Sequence, residues 1–139
     1  GWYVEMISEM KADEVLPGSF ELLEELRTNQ IKIALGSASK NAQLILDNTG
    51  LTPYFDAIVD GNVVSKSKPA PEVFLKGAEM LHISPSGCVV FEDASAGVEA
   101  ALRATMKAIG IGSPKELRKA HLVVEDLTKI QLKAIQNLF

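Results

Sequence analysis

The order of apolar segments along the chain predicts an α/β fold, a mostly parallel sheet flanked by helices. Two observations carry this. Short apolar runs rich in Val and Ile, at 31–35, 55–59, 89–91, 107–111 and 122–124, alternate with stretches whose apolar residues recur every three or four positions. The run Val89-Val90-Phe91 after Cys88 shows no polar alternation, as expected of a strand covered on both faces, and parallel sheets are covered in that way.

Each element follows in order. Trp2, Met6 and Met10 recur every four residues, which predicts a helix over 1–10, the tail of something longer. Pro17 suits the first position of the next helix, where it forfeits no hydrogen bond. Phe20, Leu22, Leu23 and Leu26 form the apolar stripe of that helix, and Glu21, Glu24, Glu25 and Arg27 its wet face. Gln30 to Leu35 reads as a strand ending in Gly36-Ser37-Ala38-Ser39-Lys40-Asn41. A helix with Leu44, Ile45 and Leu46 then stops at Gly50, a residue at ease in a left-handed cap. Phe55 to Val59 is a short strand, 60–68 a polar loop, and Pro71 starts a helix through Val73, Phe74 and Leu81.

The strand at Val89 leads into a helix with Val98, Ala101 and Leu102 on one side. Lys107 to Ile111 is the next strand. Ser113-Pro114-Lys115-Glu116 has a capping-box pattern and predicts a further helix. Leu122 to Val124 is a last short strand, and Thr128 with Gln131 predicts a capping box before a final helix carrying Leu132, Ile135 and Leu138.

Composition narrows the function classes. The 139 residues, 47% hydrophobic, fit one domain with a substantial core. A net charge of −4 argues against a nucleic-acid partner or an acidic membrane surface. One cysteine, Cys88, excludes an intramolecular disulfide and offers no zinc pattern, which predicts a reducing, cytoplasmic setting and a core role for that side chain. No run of 18 apolar residues and no signal-like segment occurs in the sequence.

Three polar clusters sit where strands should end. Glu92-Asp93 closes the strand at Val89. In an open parallel sheet ligands collect at that edge, and adjacent carboxylates suit Mg²⁺, although such a pair also fits a helix N-cap with a solvated neighbour. Gly36 to Asn41 lies between strand and helix. Its N–H groups, the Ser37 and Ser39 hydroxyls and the Lys40 ammonium could hold a phosphate, or Ser39 or Asn41 could simply cap the helix. Lys68, before Pro69, is restricted to extended geometry; it is either a directed cation or a solvated surface charge.

Taken together, these clusters resemble motifs two, three and four of the haloacid dehalogenase superfamily of phosphotransferases, and its β-phosphoglucomutase-like branch in particular. The resemblance rests on Leu35-Gly36-Ser37-Ala38-Ser39-Lys40-Asn41, Ser67-Lys68-Pro69-Ala70-Pro71-Glu72-Val73-Phe74 and Phe91-Glu92-Asp93-Ala94-Ser95-Ala96-Gly97, with Leu16-Pro17-Gly18 and Ile109-Gly110-Ile111-Gly112 also similar. It implies a Rossmann-like core and a Mg²⁺-dependent transfer on a small sugar phosphate. The reaction implied is the interconversion of β-glucose 1-phosphate and glucose 6-phosphate through an aspartyl-phosphate, or else a sugar-phosphate phosphatase activity. By the same resemblance Ser37 would hydrogen-bond the transferred phosphoryl group, and Lys68 would neutralise it and orient the nucleophile. Ser37, Ala38, Ser39, Lys40 and Asn41 would form the phosphate-binding loop, and Glu92 and Asp93 would hold Mg²⁺.

The chain departs from that pattern at its start. The superfamily's first motif, an Asp-x-Asp that supplies the nucleophile, occurs nowhere in the 139 residues; Asp13-Glu14 and Asp56 do not fit it. The expectation is therefore a fragment, with residues 1–15 the end of a helical cap and its linker and 16–139 an incomplete α/β core. The central first strand and most of the cap would be absent. Two strand edges would then be left unpaired, for a missing N-terminal segment or another chain to cover. On this reading the chain by itself is a catalytically silent phosphate- and Mg²⁺-binding unit.

Overall fold

The computed structural model describes residues 3–6, 19–36, 47, 50, 52–59, 70–126, 128 and 130–139, with residues 3–6, 19 and 20 as backbone only. Its strands are β1 (Tyr3–Met6), β2 (Ile33–Gly36), β3 (Ala57–Val59), β4 (Cys88–Glu92), β5 (Lys107–Ile111) and β6 (Leu122–Val124). Its helices are α1 (Ser19–Thr28), α2 (Glu72–Leu81), α3 (Ser95–Arg103) and α4 (Leu132–Gln136). Every strand pairing is parallel, in the order β3-β2-β1-β4-β5-β6.

Alternation along the strands divides the core into two layers, since successive side chains point to opposite faces. Val89 and Phe91 of β4, Ile109 and Ile111 of β5, and Ile33 and Leu35 of β2 pack against Leu22, Leu23 and Leu26 of α1 and Ile135 of α4. Cys88, Val90 and Ala108 face the other way, onto Val73, Phe74 and Ala78 of α2 and Val98, Ala100 and Ala101 of α3. β4 is thus buried on both faces, with all five of its residues solvent-excluded. Cys88 is a core residue, as expected.

The amino end of β2 is fixed by one side-chain and one backbone hydrogen bond to Asp56. Asp56 Oδ2 accepts from the Ile33 N–H at 2.8 Å, while the Asp56 N–H donates to the Ile33 carbonyl at 2.7 Å. This double clasp explains why β2 begins at Ile33 and not at Gln30. A 3₁₀ turn at Thr52–Tyr54 carries the chain into β3, so that strand is two residues shorter than Phe55 to Val59. At the end of α2, His82 adopts φ 59° and its N–H donates to the Glu79 carbonyl at 3.0 Å, a left-handed cap.

The largest correction is at the start of the chain. The four-residue apolar spacing predicts helix across 1–10, but Tyr3–Met6 is a strand and it is central. Val4 stands opposite both Ile33 and Val89, and Met6 opposite both Leu35 and Phe91. The place expected to lack a strand is filled by this chain. Unpaired N–H and C=O rows on two buried neighbours outweigh a weak helical preference, and Tyr and Val suit strands. Trp2 and Met10 lie outside the described residues, as do Leu44, Ile45 and Leu46.

Two smaller corrections follow the same logic. Residues 113–120 form successive turns where the capping-box pattern predicts a helix; a single helical bond joins the Leu117 N–H to the Ser113 carbonyl at 3.0 Å. Leu117 is inserted into the core and β6 begins at Leu122, so the segment is committed before a helix can extend. Thr128 does not cap α4. Its N–H and hydroxyl both turn to Asp126 Oδ1, and the N-cap position falls to Gln131, without a side-chain cap bond.

Candidate active site

The strand order reverses direction at the centre of the sheet. From β1 the chain runs outward through β2 to β3, then crosses back to β4 on the other side of β1. Such a reversal opens a crevice at the carboxyl ends of the strands, because the connections leave toward opposite sides. Glu92 is the last residue of β4 and Asp93 the first beyond it, so the acid doublet stands at the lip of that crevice.

The two carboxylates are placed very differently. Glu92 is fully buried, the one buried charged residue among those described. Its Oε1 accepts from the N–H groups of Asp93 at 3.1 Å and Ala94 at 3.2 Å. Buried carboxylates need such donors, because the water they leave behind stabilised the charge. Asp93 is exposed, and its carboxylate has no hydrogen bond or ion pair with any described residue. The N-cap position of α3 is Ala94, which makes no side-chain cap bond, so the doublet is not a simple capping pair.

This pair fits a magnesium ion. Mg²⁺ is bound through one or two carboxylates, several waters and substrate phosphates, and not by a cage of protein ligands. An exposed carboxylate beside a buried one, at a crevice, supplies that donor set. Among the described residues no larger group of three or more acidic, His or Cys side chains able to hold a metal is gathered.

An open groove of about 740 Å³ runs between the start of α3, at Ser95 and Ala96, and the 115–119 segment; Asp93 is not part of its lining. Glu99 ties its walls together by accepting from Lys119 Nζ at 3.3 Å, and accepts from Arg103 Nε, on its own helix, also at 3.3 Å. The Lys119 hydrogen bond, more than Arg103, holds the Glu99 carboxyl below the usual carboxylate range.

The other expected site residues, Ser37, Ala38, Ser39, Lys40, Asn41 and Lys68, lie outside the described residues. Ser37 follows directly on Gly36, the end of β2, and β2 is separated from β4 only by β1. Sequence reasoning missed that Glu92 and Asp93 have opposite environments. A clue was present in Gly97, one helical turn on, which leaves room for a folded-back side chain.

A doubly wound parallel sheet with an acidic doublet at its reversal point defines an α/β protein that takes its ligand at the carboxyl ends of its strands. A family model for haloacid dehalogenase-like hydrolases matches residues 3–105, and the chain belongs to that family. A Bacillus subtilis protein described as beta-phosphoglucomutase is 39% identical over 135 residues, 97% of this chain and 60% of that protein. A fructose-1-phosphate phosphatase of Escherichia coli is 43% identical over 79 residues, 57% of this chain and 42% of that protein. The crystal structure of a beta-phosphoglucomutase from Clostridium difficile superposes with a TM-score of 0.86 at 40% identity, covering 93% of this chain and 58% of that one. The chain thus spans about 60% of the length of the first of these relatives.

Proposed function

We propose that the chain is the magnesium- and phosphate-binding core of a phosphotransferase acting on sugar phosphates. Its specific reaction is read as that of a β-phosphoglucomutase, β-glucose 1-phosphate to glucose 6-phosphate. The observation that carries this is the exposed Asp93 carboxylate beside buried Glu92, at the carboxyl end of β4 where the strand order reverses. The likeness to two beta-phosphoglucomutases over nearly the whole chain supports it.

In this reading Asp93, with Glu92 next to it, holds Mg²⁺, which supplies charge neutralisation at the phosphoryl oxygens. Ser37 donates to the phosphoryl group, and Lys68 adds positive charge beside it. Ala38, Ser39, Lys40 and Asn41 bind the substrate's other phosphate. The aspartate nucleophile is assigned to sequence outside these 139 residues, because no Asp-x-Asp occurs within them. The single buried cysteine agrees with a reducing, cytoplasmic compartment.

A second reading, a sugar-phosphate phosphatase, is favoured by the 43% identity to the fructose-1-phosphate enzyme. The two differ in whether a sugar hydroxyl or water receives the phosphoryl group. The intact protein, given β-glucose 1-phosphate and Mg²⁺, is expected to form glucose 6-phosphate without matching release of inorganic phosphate. Stoichiometric phosphate release would select the phosphatase, and no turnover on any sugar phosphate would reject both. Asp93→Asn is expected to lower turnover by about 10²-fold or more, since charge placed where the phosphoryl group reacts is lost. The 139-residue chain alone is expected to bind Mg²⁺ without turnover.

A further inference from the structure

Glu92 is held in a space that only a glycine leaves open. A Cβ built on Gly97, in the first turn of α3, would fall on Cγ, Cδ and Oε2 of Glu92, far inside van der Waals contact. Gly97 is buried, its φ is not in the left-handed region, and α3 continues through it, so backbone freedom is not what the position requires. Glycine in a helix interior costs about 1 kcal/mol relative to alanine, so its use here needs a steric reason. The Glu92 carboxylate is that reason. It folds back over Gly97 while Oε1 gathers the Asp93 and Ala94 N–H groups.

We propose that Gly97 is a positioning residue for the metal site: its missing side chain is the space that the Glu92 carboxylate occupies, and through Glu92 it sets the turn that presents Asp93. The inference rests on the magnesium reading above for its functional consequence, but the geometry it invokes is independent of any metal. Gly97 fixes Glu92, Glu92 fixes the backbone at 93 and 94, and that backbone aims the exposed carboxylate. Groups that orient metal ligands typically change metal affinity by about 10–100-fold when removed.

Three variants test it: Gly97→Ala, Glu92→Ala and the two combined. Alanine at position 92 has no Cγ, Cδ or carboxylate, the atoms that a Cβ at 97 would meet. Amide exchange at residues 93 and 94, followed by NMR without metal, reads the turn. Calorimetric titration with Mg²⁺ reads its consequence.

Gly97→Ala is expected to speed exchange at both amides by about tenfold or more, relative to amides in β4, and to weaken Mg²⁺ binding by about 10–100-fold. In the double variant the methyl group added at position 97 should be better tolerated than in the wild-type background, giving positive coupling in the cycle. Unchanged exchange at 93 and 94 in Gly97→Ala would overturn the proposal. So would a cycle without coupling, or a double variant as poorly folded as Gly97→Ala alone. If the unsubstituted chain does not bind Mg²⁺ yet exchange responds as described, the positioning role stands and the magnesium reading fails.

Discussion

A left-handed backbone angle costs a residue with a Cβ about 1–2 kcal/mol, most for a branched side chain, and Thr105 bears that cost at φ 64°. The conformation is imposed by its neighbours. The Met106 N–H reaches back to the Ala101 carbonyl at 3.0 Å and closes α3, while the Met106 side chain is 1% exposed in the core. Thr105 itself is exposed, and the one side-chain bond it makes among the described residues is local, from Oγ1 to the adjacent Ala104 carbonyl at 2.6 Å. Thr105→Gly is expected to raise the urea midpoint, corresponding to roughly 1 kcal/mol. His121 predicts a pH dependence. Its Nδ1 accepts the Ala108 N–H at 3.0 Å while its backbone N–H donates to the Ala108 carbonyl at 2.8 Å, clamping the approach to β6 onto β5. Burial, with Lys107 nearby, lowers its pKa from the ordinary value of 6.5. The folded state therefore disfavours the imidazolium, which has no lone pair at Nδ1 to accept that bond. The stabilisation is complete above about pH 6.5, the unfolded value, and is lost as the pH falls from there through the lowered folded-state pKa. The urea midpoint should be lower at about pH 5.5 than at about pH 7.5, and His121→Ala should shrink the difference.

Elements with strong periodicity were readable from the chain, and the reasons are visible in their burial. α1 shows Leu22, Leu23 and Leu26 at 3%, 1% and 0% exposure, and β5 and β6 have the predicted bounds. Where reading failed, a tertiary contact had overruled a local pattern. Ser113 to Glu116 carries a capping box, but Leu117 packs into the face of β5 at Gly110, and the segment is spent on reaching it. A Cβ at Gly110 would stand 2.9 Å from Leu117 Cβ and 3.1 Å from its Cδ1. Gly110→Ala should therefore lift the 113–120 turns off the sheet at a cost of about 1–3 kcal/mol, measured as a lowered urea midpoint. The same substitution at Gly112 meets only Leu117 Cδ1 at 3.7 Å, but φ there is +134°, so its penalty arises from the backbone instead. The acid doublet was legible as a strand-end pair, because β4 is an unbroken apolar run. The division of labour within it was not, because burial of one carboxylate and exposure of the next is decided by α3.

For the molecule as a whole, the centre of the sheet is the feature that four-residue spacing concealed. β1 lies between β2 and β4 and makes ladder bonds on both sides, a position that local sequence cannot announce. Proline at such a strand removes a donor and forces its ring into the ladder. Val4→Pro is expected to destabilise the fold by about 3 kcal/mol or more, in contrast to a near-neutral effect if residues 3–6 lay outside the sheet. The urea midpoint of the variant separates these outcomes. The crevice at the carboxyl ends depends on the same strand, since β1 is the axis about which the order reverses.

The pairing of β1 with β4 has a kinetic side. Tyr3 stands opposite Cys88 and Val4 opposite Val89, with more than half of the polypeptide between them. Closing so wide an excursion costs entropy before any contact repays it, and parallel ladders of high contact order assemble in milliseconds to seconds, not microseconds. During synthesis β1 would wait on one side for β4, which the ribosome has yet to make. During that interval the β1 edge is a sticky surface, and refolding yield should fall as protein concentration rises.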